Sequence, residues 1–261
     1  AILVWKAVAT DNRTLEEINQ EIVQQAVAAH GGNRAAAARQ LPIYCVQRDQ
    51  KVLSISFDAA WGNEDTQQLI DILGKYNVKA TFFVVGDWVD KYPESVKALH
   101  DAGHEVMNHS NSHAHMSQLS SEAIVADVEA CNDKIEAVTG VRPTLIRPPY
   151  GEYDNNVITS IRSIGMEPIQ WDVDSLDWKD LPAGEITERV VSRVQPGSIV
   201  LFHNAALHTP EALPAILETL LQEGYTFVPI SELILPGEYN VDYTIDHTGR
   251  QLPAQPSSSP R

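Results

Sequence analysis

Between residues 51 and 235, stretches that read as strands and stretches with helical period alternate. "VLSISF" precedes a helical pattern over 66–76, in which Leu69, Ile70, Leu73 and Tyr76 share a face. "ATFFVV" precedes a short helix from Pro93, closed by Gly103. "HEVMN" precedes the longest pattern, where Ile124, Val128, Cys131, Ile135 and Val138 recur at steps of three and four. "TLIR" leads to Val157, Ile161 and Ile164, and "PIQWDV" leads to a helix over 185–194. "SIVLFH" leads to one over 210–223, with Thr209 as its cap and Pro210 in the first turn, and "TFVPI" leads into "SELI". Such repetition predicts an α/β fold with a parallel sheet covered by helices. This many units in one stretch favours closure into a barrel, although an open doubly wound sheet fits the same pattern. In both, functional groups gather at the C-terminal ends of the strands.

The flanks read differently. Residues 11–30 carry Leu15, Ile18, Ile22 and Val23 at helical spacing, and "HGGNRAAAARQ" reads as a linker. The stretch from Pro236 has turn character and ends in a low-complexity run. The expected division is a helical extension at 1–40, a domain at 41–235 and an irregular, partly disordered tail at 236–261. The chain begins at Ala1 rather than methionine, so a leader or anchor is expected to lie outside it.

Charge and cysteine usage narrow the function. The net charge of −16 falls almost wholly within 51–235, which argues against nucleic acid. Cys45 and Cys131 provide neither a disulfide framework nor a cysteine-rich zinc site, and Cys131 reads as a buried helix residue. No apolar run is long enough to span a membrane.

Polar residues do gather where strands end. Asp58 ends the first strand, and His109 and His113 follow the third in "NHSNSH". Arg147 follows the fourth in "IRPPYG", and Asp174, Asp177 and Trp178 follow the fifth in "DVDSLDW". His203 ends the sixth. Imidazoles at i and i+4 have ligand spacing if the segment turns, though surface histidines give the same spacing. The prolines of "RPPYG" stiffen a turn in which a backbone N–H near Tyr150 can be held for a developing oxyanion, though an ordinary loop gives the same pattern. His104, directly behind Gly103, lies at the opposite end of the sheet and reads as structural, and His115 and His208 get the same reading.

In this order the motifs resemble those of the polysaccharide deacetylase family, the NodB-homology domain, over roughly Leu41 to Leu235. The family's "TFDDG" is met by "SFDAAWG", "H-[ST]-x-x-H" by "HSNSH" and "R-x-P-[YF]" by "RPPYG"; "D-x-x-D-W" is met by "DSLDW" and "L-x-H" by "LFH". Within the family, "FDAAWG" and the lead-in "LPIYCVQRDQKVLSI" are most similar to sporulation-type deacetylases of endospore-forming bacteria.

The resemblance implies a distorted (β/α)7 barrel and metal-assisted hydrolysis of the N-acetyl group of an amino sugar, in peptidoglycan or chitin-like oligomers. It implies Asp58 as general base, His109 and His113 as metal ligands, and Arg147 tuning the base. Tyr150 would supply an oxyanion N–H, His203 the acid, and Asp177 its orienting partner. Trp178 and Leu201 would wall the acetyl pocket, with Asp174 beside them. The implied metal is zinc, with cobalt or manganese as alternatives. The implied protein is a bacterial monomer, extracellular or associated with the cell wall, whose partner is an N-acetylated glycan.

One part is missing. The family's second aspartate, its third metal ligand, aligns with Ala59, and a methyl group cannot ligate. The metal is therefore expected to bind weakly, unless Glu64 or Asp65 swings in. Three readings stay open: an active deacetylase with an altered ligand set, a feeble or inactive glycan binder, and a hydrolase of this fold with another substrate. The retained acid–base set favours the first over the second.

Overall fold

The computed structural model describes residues 41–237, 239 and 241–254. The expected N-terminal helix and linker lie outside the described residues, as does the end of the tail from 255.

A short strand β1 (Cys45–Val46) leads into β2 (Val52–Ala59), an interior strand of the main sheet. Around it the chain lays down α1 (Thr66–Lys75), β3 (Thr81–Val84), α2 (Gly86–Lys91), α3 (Pro93–Asp101) and β4 (Glu105–Asn108). There follow α4 (Ser121–Thr139), β5 (Leu145–Ile146), α5 (Asn155–Ser163), β6 (Glu167–Pro168) and β7 (Val173–Asp174). Then come α6 (Ala183–Val191), β8 (Ile199–His203), α7 (Thr209–Gln222), β9 (Thr226–Phe227) and α8 (Ile230–Leu233). The strands run parallel in the order β6-β5-β4-β3-β2-β8-β7, with β9 beside the start of β2. The fold is α/β, with a curled, half-barrel parallel sheet consistent with a distorted (β/α)7 barrel.

The alternation in β2 separates two environments. Phe57 stacks on Phe82 at 4.8 Å and on Phe202 at 5.5 Å, in the apolar layer shared with α1, α6 and α7. Ser54, Ser56 and Asp58 occupy the intervening positions and are buried. The two hydroxyls donate to backbone carbonyls, Ser54 Oγ to Val228 (2.6 Å) and Ser56 Oγ to Val200 (2.8 Å). That satisfies them inside the fold and leaves Asp58 as the charged end of the stripe.

"PIQWDV", expected as one strand, is two. β6 pairs with β5 at one edge of the sheet and β7 with β8 at the other, so residues 169–172 cross from edge to edge. The two edges are thus joined by one continuous segment, and among the described residues no ladder joins β6 to β7. The entering chain braces this crossing: Gln170 N–H donates to Ile43 O at 2.7 Å, and Val46 N–H donates to Gly197 O at 2.9 Å. A Cβ on Gly197 would sit 1.7 Å from the Val46 carbonyl oxygen, so only glycine permits the second contact.

The tail is more regular than expected. β10 (Tyr243–Ile245) and β11 (Arg250–Pro253) form an antiparallel hairpin, and β11 adds in parallel to β1. Its turn, "DHTG", is built by Asp246, whose carboxylate accepts from Thr248 N–H (2.8 Å), Thr248 Oγ1 (2.6 Å) and Arg250 N–H (3.1 Å).

Candidate active site

Parallel register aligns Asp58 with Phe83 on one neighbouring strand and with His203 on the other. The base and acid expected from the sequence are therefore direct neighbours across β2 and β8. Arg147, fully buried after β5, donates from Nη1 to Asp58 Oδ1 at 2.8 Å. Its Nη2 donates to Gln170 O at 3.1 Å. That carbonyl is available because the chain leaves strand geometry in the edge-to-edge crossing. The guanidinium also lies 4.3 Å from the Phe83 ring centre and 5.4 Å from that of Trp171. Burial pushes the Asp58 carboxyl up, but Arg147 first, then His109 and His203, more than offset this and hold it below its ordinary value.

His203 is built the opposite way. Its Nδ1–H donates to Asp177 Oδ1 at 2.8 Å, and its backbone N–H donates to Asp177 Oδ2 at 2.8 Å. Thr209 Oγ1 donates to the same Oδ2 at 2.6 Å, so Thr209 holds this carboxylate rather than capping α7. Burial pushes the imidazole down, yet Asp177, helped by Asp58 and Asp174, raises it to about 9. At neutral pH Asp58 is therefore ionised and His203 protonated, with its Nε2–H not engaged by Asp177.

His109 Nδ1–H donates to Arg147 O at 2.6 Å, which fixes the tautomer and leaves a lone pair on Nε2. That nitrogen lies 3.6 Å from Asp58 Oδ2. Burial pushes the His109 imidazole down, so this contact joins a neutral ring to a carboxylate and is not an ion pair. The His113 ring lies 5.0 Å from that of His109, and burial above all pushes its imidazole down to about 3. Both imidazoles are thus in the state a metal requires.

Ala59 is buried in the apolar layer with Phe57, Val84 and Val85. Asp65 ties two rim loops together instead of joining the histidines: its Oδ2 accepts from Ala205 N–H at 2.8 Å. Glu64 folds back over Gly62. Among the described residues, no three His, Cys, Asp or Glu side chains converge as a metal-holding set. The site therefore fits a divalent ion with two nitrogen donors and falls one protein ligand short of a three-ligand catalytic centre.

The remaining expected residues surround this centre. Tyr150 takes φ +63° in the turn Pro149–Gly151, held from below by Gln170 Nε2 donating to Gly151 O at 3.1 Å. Asp174 is buried; its Oδ1 accepts from Leu176 N–H at 2.8 Å, and burial raises its carboxyl to about 6. Leu201 is the register partner of Asp174, two residues before His203. Trp178 is half-buried in the turn Asp177–Lys179. His104 lies at the other end of the sheet, where its Nδ1 accepts from Ala80 N–H at 3.2 Å, and Cys131 is buried in α4.

Sequence reasoning missed the rim. Trp61, 48% exposed, meets the His113 ring edge-on at 5.1 Å. His115, expected to be structural, stacks on Tyr150 at 4.3 Å with the planes 6° apart, and its Nδ1 pairs with Glu152 at 3.0 Å. An aromatic residue directly after two alanines at a strand end was the available signal for Trp61.

Comparison with known proteins agrees with this fold. The family model for polysaccharide deacetylase matches residues 46–169. The wild-type structure of BA3943 from Bacillus anthracis, described as a CE4 family pseudoenzyme, superimposes with a TM-score of 0.72 at 36% identity, covering 74% of this chain and 69% of that one. A BA3943 mutant described as having restored enzymatic activity gives 0.72 at 37% identity, covering 74% and 71%. The chain belongs to the polysaccharide deacetylase family. Among curated relatives, the peptidoglycan-N-acetylmuramic acid deacetylase PdaC of Bacillus subtilis is 36% identical over 188 residues, covering 72% of this chain. The chain spans only 40% of that relative's length.

Proposed function

We propose that this domain is a hydrolase that removes N-acetyl groups from amino sugars of a cell-wall glycan, peptidoglycan first and chitin-like oligomers second. The observation that carries this is a base and an acid of opposite tuning on adjacent strands: Asp58 held low by Arg147, and His203 held at about 9 by Asp177.

Asp58 Oδ1 is committed to Arg147, so Oδ2 takes the proton of a water whose oxygen attacks the acetamide carbon. The Tyr150 N–H supports the oxyanion that forms. As the C–N bond breaks, His203 Nε2–H passes its proton to the leaving nitrogen, and acetate and free amine result. Trp178, Leu201 and Asp174 border the acetyl pocket. His109 and His113 would hold a divalent ion, zinc before cobalt or manganese; when bound, it polarises the carbonyl and acidifies water. Two protein donors in place of three make that binding weak. The net charge of −16 disfavours nucleic acid. Among the described residues no helix is long and apolar enough to cross a membrane, and the kinship with peptidoglycan deacetylases supports action outside the cell, at the wall. The further assignment to sporulation rests on "FDAAWG" and the lead-in "LPIYCVQRDQKVLSI".

A second reading, glycan binding with little turnover, is favoured by Ala59 and by the pseudoenzyme description of BA3943. Acetate release from peptidoglycan and chitin oligomers, after chelation and with zinc or cobalt restored, separates the two. Release that depends on metal supports the hydrolase. Retention of glycan with no acetate under any metal supports the binder.

A further inference from the structure

Both candidate ligands lie at the ends of a loop held from two elements, and on the α2 side the bonds are to backbone: Gly86 N–H donates to Ser110 O at 3.0 Å and Asp87 N–H to Asn111 O at 2.9 Å. Within "HSNSH", Ser110 takes φ +71° and His113 φ +55°. Non-glycine residues in that region need support from their surroundings. On the α4 side the support comes from one side chain. Asp127 of α4 accepts three hydrogen bonds from the loop: Ser110 Oγ at 2.7 Å and Asn111 N–H at 2.9 Å on Oδ2, and Ser112 Oγ at 3.1 Å on Oδ1. Ser110 Oγ, oriented in this way, accepts in turn from Ala114 N–H at 3.2 Å, which closes the turn around His113.

The helix carrying Asp127 is itself anchored. Its start is capped by Ser120 Oγ, which accepts from Ala123 N–H at 3.2 Å. Asn108, next to His109, donates from Nδ2 to Val128 O (2.9 Å) and Asn132 Oδ1 (2.8 Å), and its own Oδ1 accepts from Ser110 N–H at 2.7 Å. The loop's three intervening residues are thus fixed to α4 by their side chains and the Asn111 N–H, and to α2 by the Ser110 and Asn111 carbonyls, leaving the two imidazoles beside Asp58. We propose that Asp127 is a positioning residue for the histidine pair: its carboxylate sets the loop conformation that presents His113 beside His109. The consequence for metal affinity rests on these histidines being the ligands; the consequence for loop geometry does not.

The test uses the described domain within its full chain. In metal-free protein, proton NMR reads the ring-current displacement of the His113 side chain, which packs 4.5 Å from the Tyr150 ring and 5.1 Å from Trp61. Cobalt titration, followed by its visible spectrum, reads affinity. Asp127→Ala is expected to move the His113 resonances toward unshifted positions and to weaken cobalt binding by about ten-fold or more. Asp127→Asn, which keeps an acceptor of the same shape, is expected to retain most of both. Asp133→Ala, on the same helix but bonded to Arg142 at 2.9 Å, is expected to change neither. If Asp127→Ala does not fold, Ser110→Ala/Ser112→Ala tests the same contacts, with loss expected in the same direction. Unchanged His113 resonances in Asp127→Ala, or in the double variant, would overturn the proposal. Shifted resonances in a protein whose parent takes up no cobalt would uphold it and remove only the metal reading.

Discussion

The two sides of Asp58 differ in how completely they are built. On one side, Arg147 binds Oδ1, Gln170 O binds Arg147, and His203 stands one register step away with Asp177 and Thr209 behind it. On the other side, two neutral imidazoles are presented, and the next residue along the strand is a buried methyl group. The first side is assembled from five residues on separate elements and satisfies its charges pairwise. The second needs a carboxylate from a single position, and one residue type at that position removes it. The residues proposed for acid–base work and those proposed to hold a metal are thus built separately, although they share a strand end.

The comparison breaks most sharply at the base. Asp58→Asn is expected to reduce acetate release by about 10³-fold or more while glycan binding persists, since the amide keeps the shape and cannot take a proton. Near-normal release would remove Asp58 from the mechanism. Arg147→Met, which strands a buried carboxylate, is expected to destabilise the domain by about 3–5 kcal/mol in urea unfolding. It is also expected to raise the acid limb of the pH–rate profile, because burial then acts on Asp58 without its main counter-charge.

Asp177→Asn is expected to lower turnover by about 10²-fold and to move the alkaline limb down from about 9. It has a stability signature as well. A histidine raised in the folded state contributes its full stability below its ordinary value near 6.5 and loses it as pH rises through about 9. The pH-dependent part of the difference between parent and Asp177→Asn should therefore be greatest below pH ~6.5 and disappear above about 9. The smallest effect is expected at the rim, where His115→Ala removes a ring stacked on Tyr150 and should alter KM more than kcat.

Much of this was legible because strand ends are where a parallel sheet collects its chemistry. Asp58, His109, His113, Arg147, Asp177 and His203 each stand at such an end. What was not legible depends on tertiary partners. "PIQWDV" reads as one apolar strand, and only the positions of β5 and β8 split it into two edges. Thr209 has the sequence position of a helix cap, but its hydroxyl donates to Asp177, a partner from another part of the fold. Asp127 had a faint signal: it falls three residues after Ile124 and four before Cys131, an acid within an apolar stripe. Charge at such a position calls for a buried polar partner, but the sequence does not say which one.

The central claim is that the acid–base side is complete and that the third metal donor limits the site. Ala59→Asp tests it most directly, with metal affinity and acetate release measured together on chelated and then zinc- or cobalt-refilled protein. The predicted result is tighter metal binding, by about ten-fold or more, with a parallel rise in acetate release. Tighter metal with no gain in acetate, or no change in affinity at all, would contradict it.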